Sequence, residues 1–200
     1  MPGRAALLVL ALLTVPLSAD ELIVEPKSGV VFEAKENDLS LLGVGLRTKT
    51  FLKVRVYAVG FYVSDAALAG PLQAHKGDIG SPAFYSDLVQ GDFPKEIRMK
   101  FLRDVTKSQI QDAFREVLVG VDPARLSGFV DYFGDTKTGE EYRLRWSSAT
   151  SLEVTVAGNA KPTITDKAFD AAVLGIWLGP KPVQEDIKLG LIGRAKTLIK

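Results

Sequence analysis

Arg47, Arg55 and Tyr57 interrupt an otherwise apolar stretch, LLGVGLRTKTFLKVRVYAVGFYV, at residues 41–63. Its second half alternates as a half-buried strand does. A guanidinium rarely sits in such a strand unpaired, so Arg47 calls for an acidic neighbour or an anionic ligand. An arginine fork can grip a carboxylate through two charge-assisted hydrogen bonds, and the phenol of Tyr57 can donate a third. The same pair could serve a reaction, with Arg47 polarising a carbonyl and Tyr57 giving up a proton, provided that the phenol pKa were depressed.

Other chemistries fail on residue counts and spacing. The chain has no Cys and one His, which removes disulfides, thiol nucleophiles and thiolate metal sites and leaves no ligand set for zinc. That His, His75, lies in a loop-like segment near Lys76 and Asp78 and reads as an exposed, solvated side chain. Gly43-Val44-Gly45 is no dinucleotide loop, because the third Gly would fall at Thr48 and no helix follows. Glu140-Glu141 follows Gly139 in a polar turn. We expect no cofactor and no metal.

The elements that must position Arg47 and Tyr57 follow from patterning over the 200 residues. Met1–Ala19 has a positive start at Arg4, an apolar run over Ala5–Val15 and the end Leu17-Ser18-Ala19. It reads as a secretory signal peptide and is too short for a comfortable membrane span, the alternative being a retained anchor. The expectation is a signal peptide at 1–19, a single domain at 20–200, and a periplasmic or secreted location. Removing Arg4 leaves 24 Lys and Arg against 24 Asp and Glu. Such a neutral domain lacks the basic stripe that nucleic-acid binding needs, and no second run could span a membrane.

Val30–Phe32, Leu41–Lys49 and Phe51–Val63 read as strands. In the last, Leu52, Val54, Val56, Ala58 and Gly60 form the expected core face. Phe51, Lys53, Arg55, Tyr57, Val59 and Phe61 form the other. Residues 64–95 are mixed, with a short helix near Ala66–Leu72. Glu96–Leu102 is a further strand. Thr106 with Gln109 makes a capping box for a helix whose stripe is Ile110, Phe114 and Leu118, widened by Ala113 and Val117. A second helix starts after Asp122-Pro123 and carries Leu126, Phe129, Val130 and Phe133. Strands at Glu141–Trp146 and Ser151–Ala157, a helix over Asp166–Leu178 and a short helix near Gln184–Ile192 complete the chain. Strands, helices, strands, helices is the order of an α+β domain with helices on an antiparallel sheet.

With Gly43, Gly45, Leu46 and Arg47, then Lys53, Tyr57, Ala58, Gly60 and Tyr62, the stretch resembles the first ligand strands of the chalcone isomerase superfamily. TITDKAFDAAVLGIWLG resembles that family's closing helix. With the leader, the chain looks like a bacterial, exported chalcone isomerase-like protein. The resemblance implies an open-faced β-sandwich, an antiparallel sheet covered by a layer of helices, with a ligand cleft between them. In plant isomerases the matching Arg steers the substrate, aided by a Thr, a Tyr and an Asn. Here the Thr position is Tyr57, and the Tyr and Asn positions fall on Ile110 and Val117, which makes a polar catalytic face apolar. Arg with Tyr is instead the pair by which the family's fatty-acid-binding members hold a carboxylate.

The reading that follows is a non-catalytic binder of a fatty acid or similar amphiphilic anion. Arg47 and Tyr57 hold the head, Gly43 and Gly45 leave room beside the strand, and Ile110, Phe114, Val117 and Phe129 contact the tail. Each charged hydrogen bond contributes roughly 1.5–3 kcal/mol. About twelve buried methylenes, at about 0.8 kcal/mol each, contribute nearly 10 kcal/mol before entropic costs. The tail thus supplies affinity and Arg47 supplies head-group choice. Two alternatives stand beside it. One is an isomerase or intramolecular lyase acting on an enone through Arg47 and Tyr57. The other is an interaction module whose pocket is filled and whose Arg47 pairs with an acid such as Asp38 or Glu96.

Overall fold

A computed structural model describes residues 21–49 and 52–200. The proposed signal peptide at 1–19, and Phe51 in the strand expectation, lie outside the described residues. The chain runs β1 (Leu22–Val24), β2 (Val31–Glu33), β3 (Lys35–Glu36), β4 (Leu39–Lys49), β5 (Val54–Ser64), α1 (Asp65–Ala69), a 3-10 turn at Pro71–His75, α2 (Pro82–Gln90) and β6 (Lys95–Phe101). Then follow α3 (Lys107–Val117), α4 (Pro123–Val130), β7 (Glu141–Ser148), β8 (Ser151–Val156), β9 (Asn159–Ala160), α5 (Lys167–Leu178), α6 (Glu185–Gly190) and α7 (Ala195–Leu198). Strands β3 to β9 form one antiparallel sheet in sequence order, and β1 pairs with β2 as a separate hairpin. The α+β fold, an antiparallel sheet carrying a helical layer, is as the sequence implies. Among the described residues no helix is long and apolar enough to cross a membrane.

Local signals place the helices. Thr106 and Gln109 form the full capping box at the start of α3. The Asp122 and Asp166 carboxylates cap α4 and α5, relieving unpaired amides at each helix start. Within the segment expected to be mixed, α2 forms behind a recognisable start signal, with Ser81 capping it and Pro82 in its first turn.

From Tyr57 onward the two faces of β5 reverse the expected assignment, while Val54 and Val56 line the space between sheet and helices as expected. Val59, Phe61 and Val63 join the main core between sheet and helices, and Tyr57 packs against it. Ala58 and Tyr62 sit in a smaller cluster with Phe32, Leu39 and Leu41 beneath the β1–β2 hairpin. Leu52, assigned to the core face, is 70% exposed. Alternation correctly separates the faces, but both are partly apolar, so composition alone picked the wrong one as principal. His75 also departs from expectation, being buried. Its Nδ1 lies 2.9 Å from Asp78 Oδ1 and its Nε2 lies 2.7 Å from Asp87 Oδ2. The hydrogen bond to Asp87 leads in raising its pKa, with Asp78 adding to it and burial opposing both.

Gly43 and Gly45 do provide room beside β4, but the backbone of α6 takes it. A Cβ on Gly43 would strike the Gly190 carbonyl oxygen, and one on Gly45 would stand 3.2 Å from Ile187 Cα. The expected space for a ligand is therefore a helix seat. Gly43→Ala forces α6 off the sheet and destabilises the fold by about 1–3 kcal/mol. A lower urea midpoint with an unchanged slope is the result to look for.

Candidate functional site

Between the sheet and α3 lies a cavity of about 580 Å³. Its charged lining residues, Arg47, Lys49, Arg103 and Glu116, are half-buried or exposed. Its apolar lining includes buried Met99, Phe101, Phe114, Tyr142, Ile176 and Trp177. The cavity thus grades from charged at its mouth to aromatic and aliphatic inside, the pattern of a site for an elongated amphiphile.

Arg47 and Tyr57 are direct partners in the β4–β5 register, which sets their side chains next to each other on one face. The next strand places Phe101 opposite Tyr57, with ring centroids 5.6 Å apart. The Trp177 indole N–H donates to the Tyr57 hydroxyl oxygen at 3.2 Å. Indole nitrogen is only a donor, so the phenol accepts there and keeps its own hydrogen for a ligand. Burial raises the Tyr57 pKa, and the bond from Trp177 and the charge of Arg47 offset this only in part. Tyr57 therefore presents a neutral hydroxyl. The depressed pKa that proton transfer requires is absent.

Arg47 Nη1 donates to the Thr48 carbonyl at 2.6 Å and to Gln184 Oε1 at 3.4 Å. Gln184 also accepts from the Thr48 amide at 3.1 Å and donates to the Leu46 carbonyl at 3.2 Å. Standing just before α6, it fastens that helix to β4 and steadies one nitrogen of the guanidinium. Among the described residues Arg47 has no carboxylate partner. Asp38 lies instead against Arg145 at 3.9 Å, and Glu96 against Arg98 at 2.8 Å. Arg98 is the contrasting case. It is 2% exposed, shares the carboxylates of Glu33, Glu36 and Glu96 and stacks on the Tyr62 ring at 4.7 Å. One strand arginine is neutralised inside the fold, and the other faces the cavity.

Ile110, Phe114 and Val117 line the cavity from α3. Phe129, read from sequence as a tail contact, does not line it. Its ring centroid lies 5.1 Å from that of Phe114 and 5.3 Å from that of Phe169, and the residue is 1% exposed. It is core that backs Phe114. A stripe shows which helix face is apolar but not which of its residues have another helix behind them. Trp177 and Gln184 were missed as site residues. The signal available for Trp177 was an indole N–H in an apolar helix, which needs an acceptor when buried.

Tyr57→Phe removes the free donor and leaves the buried Trp177 N–H unpaired. A carboxylate placed against this hydroxyl would be held about tenfold more weakly by the variant, on the scale of one hydrogen bond.

The family model described as chalcone isomerase-like matches residues 27–193. Over 207 residues the chain is 28% identical to Fatty-acid-binding protein 1 of Arabidopsis thaliana, with 90% of this chain and 72% of that protein covered. It is 30% identical over 137 residues to Altered inheritance of mitochondria protein 18, mitochondrial, of Vanderwaltozyma polyspora. That match covers 66% of this chain and 43% of the yeast protein. The crystal structure of an Arabidopsis thaliana fatty-acid binding protein superposes with a TM-score of 0.76 at 23% identity, covering 90% of this chain and 99% of that one. This last likeness speaks for the fold.

Proposed function

The chain belongs to the chalcone isomerase-like family, and on that premise we propose that it is a non-catalytic binder of a long-chain fatty acid. The observation that carries the reading is Arg47, without an acidic partner among the described residues, set beside Tyr57 at the mouth of an apolar cavity of about 580 Å³. Arg47 takes the carboxylate through its fork, Tyr57 donates to it, and Ile110, Phe114 and Val117 flank the tail. The space is of the size that holds one small organic ligand, about 300–1,000 Å³. The relative named Fatty-acid-binding protein 1 supports this ligand class. The raised Tyr57 pKa and the apolar residues at 110 and 117 weigh against the enone isomerase reading. The unfilled cavity weighs against an interaction module with a filled pocket.

The leader-like Met1–Ala19 supports a bacterial, exported member of the family, acting in the periplasm or outside the cell. The intact mass of the protein from its native host then corresponds to a chain starting at Asp20. For the ligand, native mass spectrometry of the protein as isolated tests the reading. A mass increment matching a long-chain fatty acid supports it, and a protein that is bare even after incubation with palmitate contradicts it.

A further inference from the structure

We propose that the rim of the cavity docks on an anionic lipid bilayer, so that the ligand passes between membrane and cleft without crossing bulk water. The inference rests on the fatty-acid reading of the cavity and adds where that ligand enters and leaves.

Isolated exposed apolar side chains are ordinary, but grouped ones mark contact surfaces. Of the large exposed apolar residues, one lines this cavity and two lie within two residues of its lining in sequence. Val117, 38% exposed, lines the cavity, and Val119, 83% exposed, follows it two residues beyond α3. Leu52, 70% exposed, stands in the β4–β5 turn between Lys49 and Val54, both of which line the cavity. The turn and the end of α3 thus border one opening and present apolar tips to solvent.

Basic groups outnumber acids in the cavity lining and in the β4–β5 turn. Lys49 and Arg103 line the mouth, and exposed Lys53 and Arg55 belong to the same turn and strand. Among the described residues none of these four pairs with a carboxylate side chain, and Glu116 is the single acid in the lining. Apolar tips that enter the headgroup region, ringed by Lys and Arg that attract anionic lipid, form the pattern of reversible interfacial binding.

The test compares the protein with a Leu52→Asp/Val119→Asp double variant and a Lys53→Glu/Arg55→Glu double variant, all with the same N-terminus so that any contribution of residues 1–19 cancels. None of the four positions lines the cavity, and thermal melting controls for folding. Sedimentation is measured with vesicles of phosphatidylglycerol and phosphatidylcholine and with vesicles of phosphatidylcholine alone. We expect the protein to bind the anionic vesicles at least about tenfold better than the neutral ones. Both variants lose this binding and take up a fluorescent fatty acid from vesicles more slowly, yet bind that fatty acid in detergent-free solution as before. Equal sedimentation with both vesicle types, unchanged binding in the variants, or an uptake rate independent of vesicle concentration overturns the proposal. So does a rim that captures a protein partner but no vesicles. If the unaltered protein binds anionic vesicles but no fatty acid in solution, the cavity reading fails while the docking surface stands.

Discussion

We expect Arg47→Ala to lower affinity for a long-chain carboxylate about 100-fold, the equivalent of roughly 3 kcal/mol and the loss of two charge-assisted hydrogen bonds. The fold tolerates the change. Among the described residues Arg47 donates only to the Thr48 carbonyl and to Gln184, and Gln184 retains its own bonds to Thr48 and Leu46. Stability therefore falls by less than about 1 kcal/mol, as for a half-exposed polar contact. Arg47→Lys recovers only part of the affinity, because an ammonium cannot reproduce the two-pronged grip. Displacement of a fluorescent fatty acid, run beside a urea melt, separates the two effects. If Arg47→Ala retains full affinity, the guanidinium is not the head-group anchor.

Asp170→Asn removes a pH dependence of stability worth roughly 4 kcal/mol. Asp170 lies on α5, is 1% exposed, and neither carboxyl oxygen has a hydrogen-bond partner among the described residues. Burial, helped by the nearby charge of Asp166, pushes its pKa up to about 7 from 3.8. The folded state therefore holds a proton that the unfolded chain releases between those values. Stability from this group is complete below about pH 4 and is lost as pH rises through 7, at about 1.4 kcal/mol per pH unit. The neutral amide of Asn resembles the protonated acid and does not titrate. The two proteins are then equally stable near pH 4, and the variant gains with pH until it leads by several kcal/mol at pH 8. Urea unfolding of both proteins at pH 4, 6 and 8 measures this difference and cancels the contribution of every other titrating group. A constant difference across that range contradicts the assignment.

Local signals were legible where one residue type meets one local geometry. Alternation located β5, the Thr106–Gln109 pair located the start of α3, and an arginine amid apolar strand residues singled out Arg47, which lines the cavity. Features that depend on what packs against what were not legible. The spacing of Gly43 and Gly45 announces a close approach but cannot say that a helix backbone, not a ligand, makes it. Phe114 and Phe129 both sit on apolar helical faces, and only the packing of α4 behind α3 makes one cavity wall and the other core. Gln184 reaches Arg47 across 137 positions of sequence, too far for any local pattern to report. Asp170 looks like an ordinary acid in the first turn of a helix, where the dipole favours it. Its burial comes from the whole layer closing over it. His75 was misread for a similar reason, since the acids that bracket it are visible in sequence but the enclosing fold is not.

On the proposed function, a guanidinium fork at the mouth of a greasy cavity selects for negative charge on a long chain. Titration of the protein with dodecanoic acid and with its methyl ester tests it most directly, because the two ligands share a tail and differ at the head. The account predicts that the acid binds about 100-fold tighter and that the gap closes in Arg47→Ala. Equal affinity of the two ligands for the unaltered protein would contradict it.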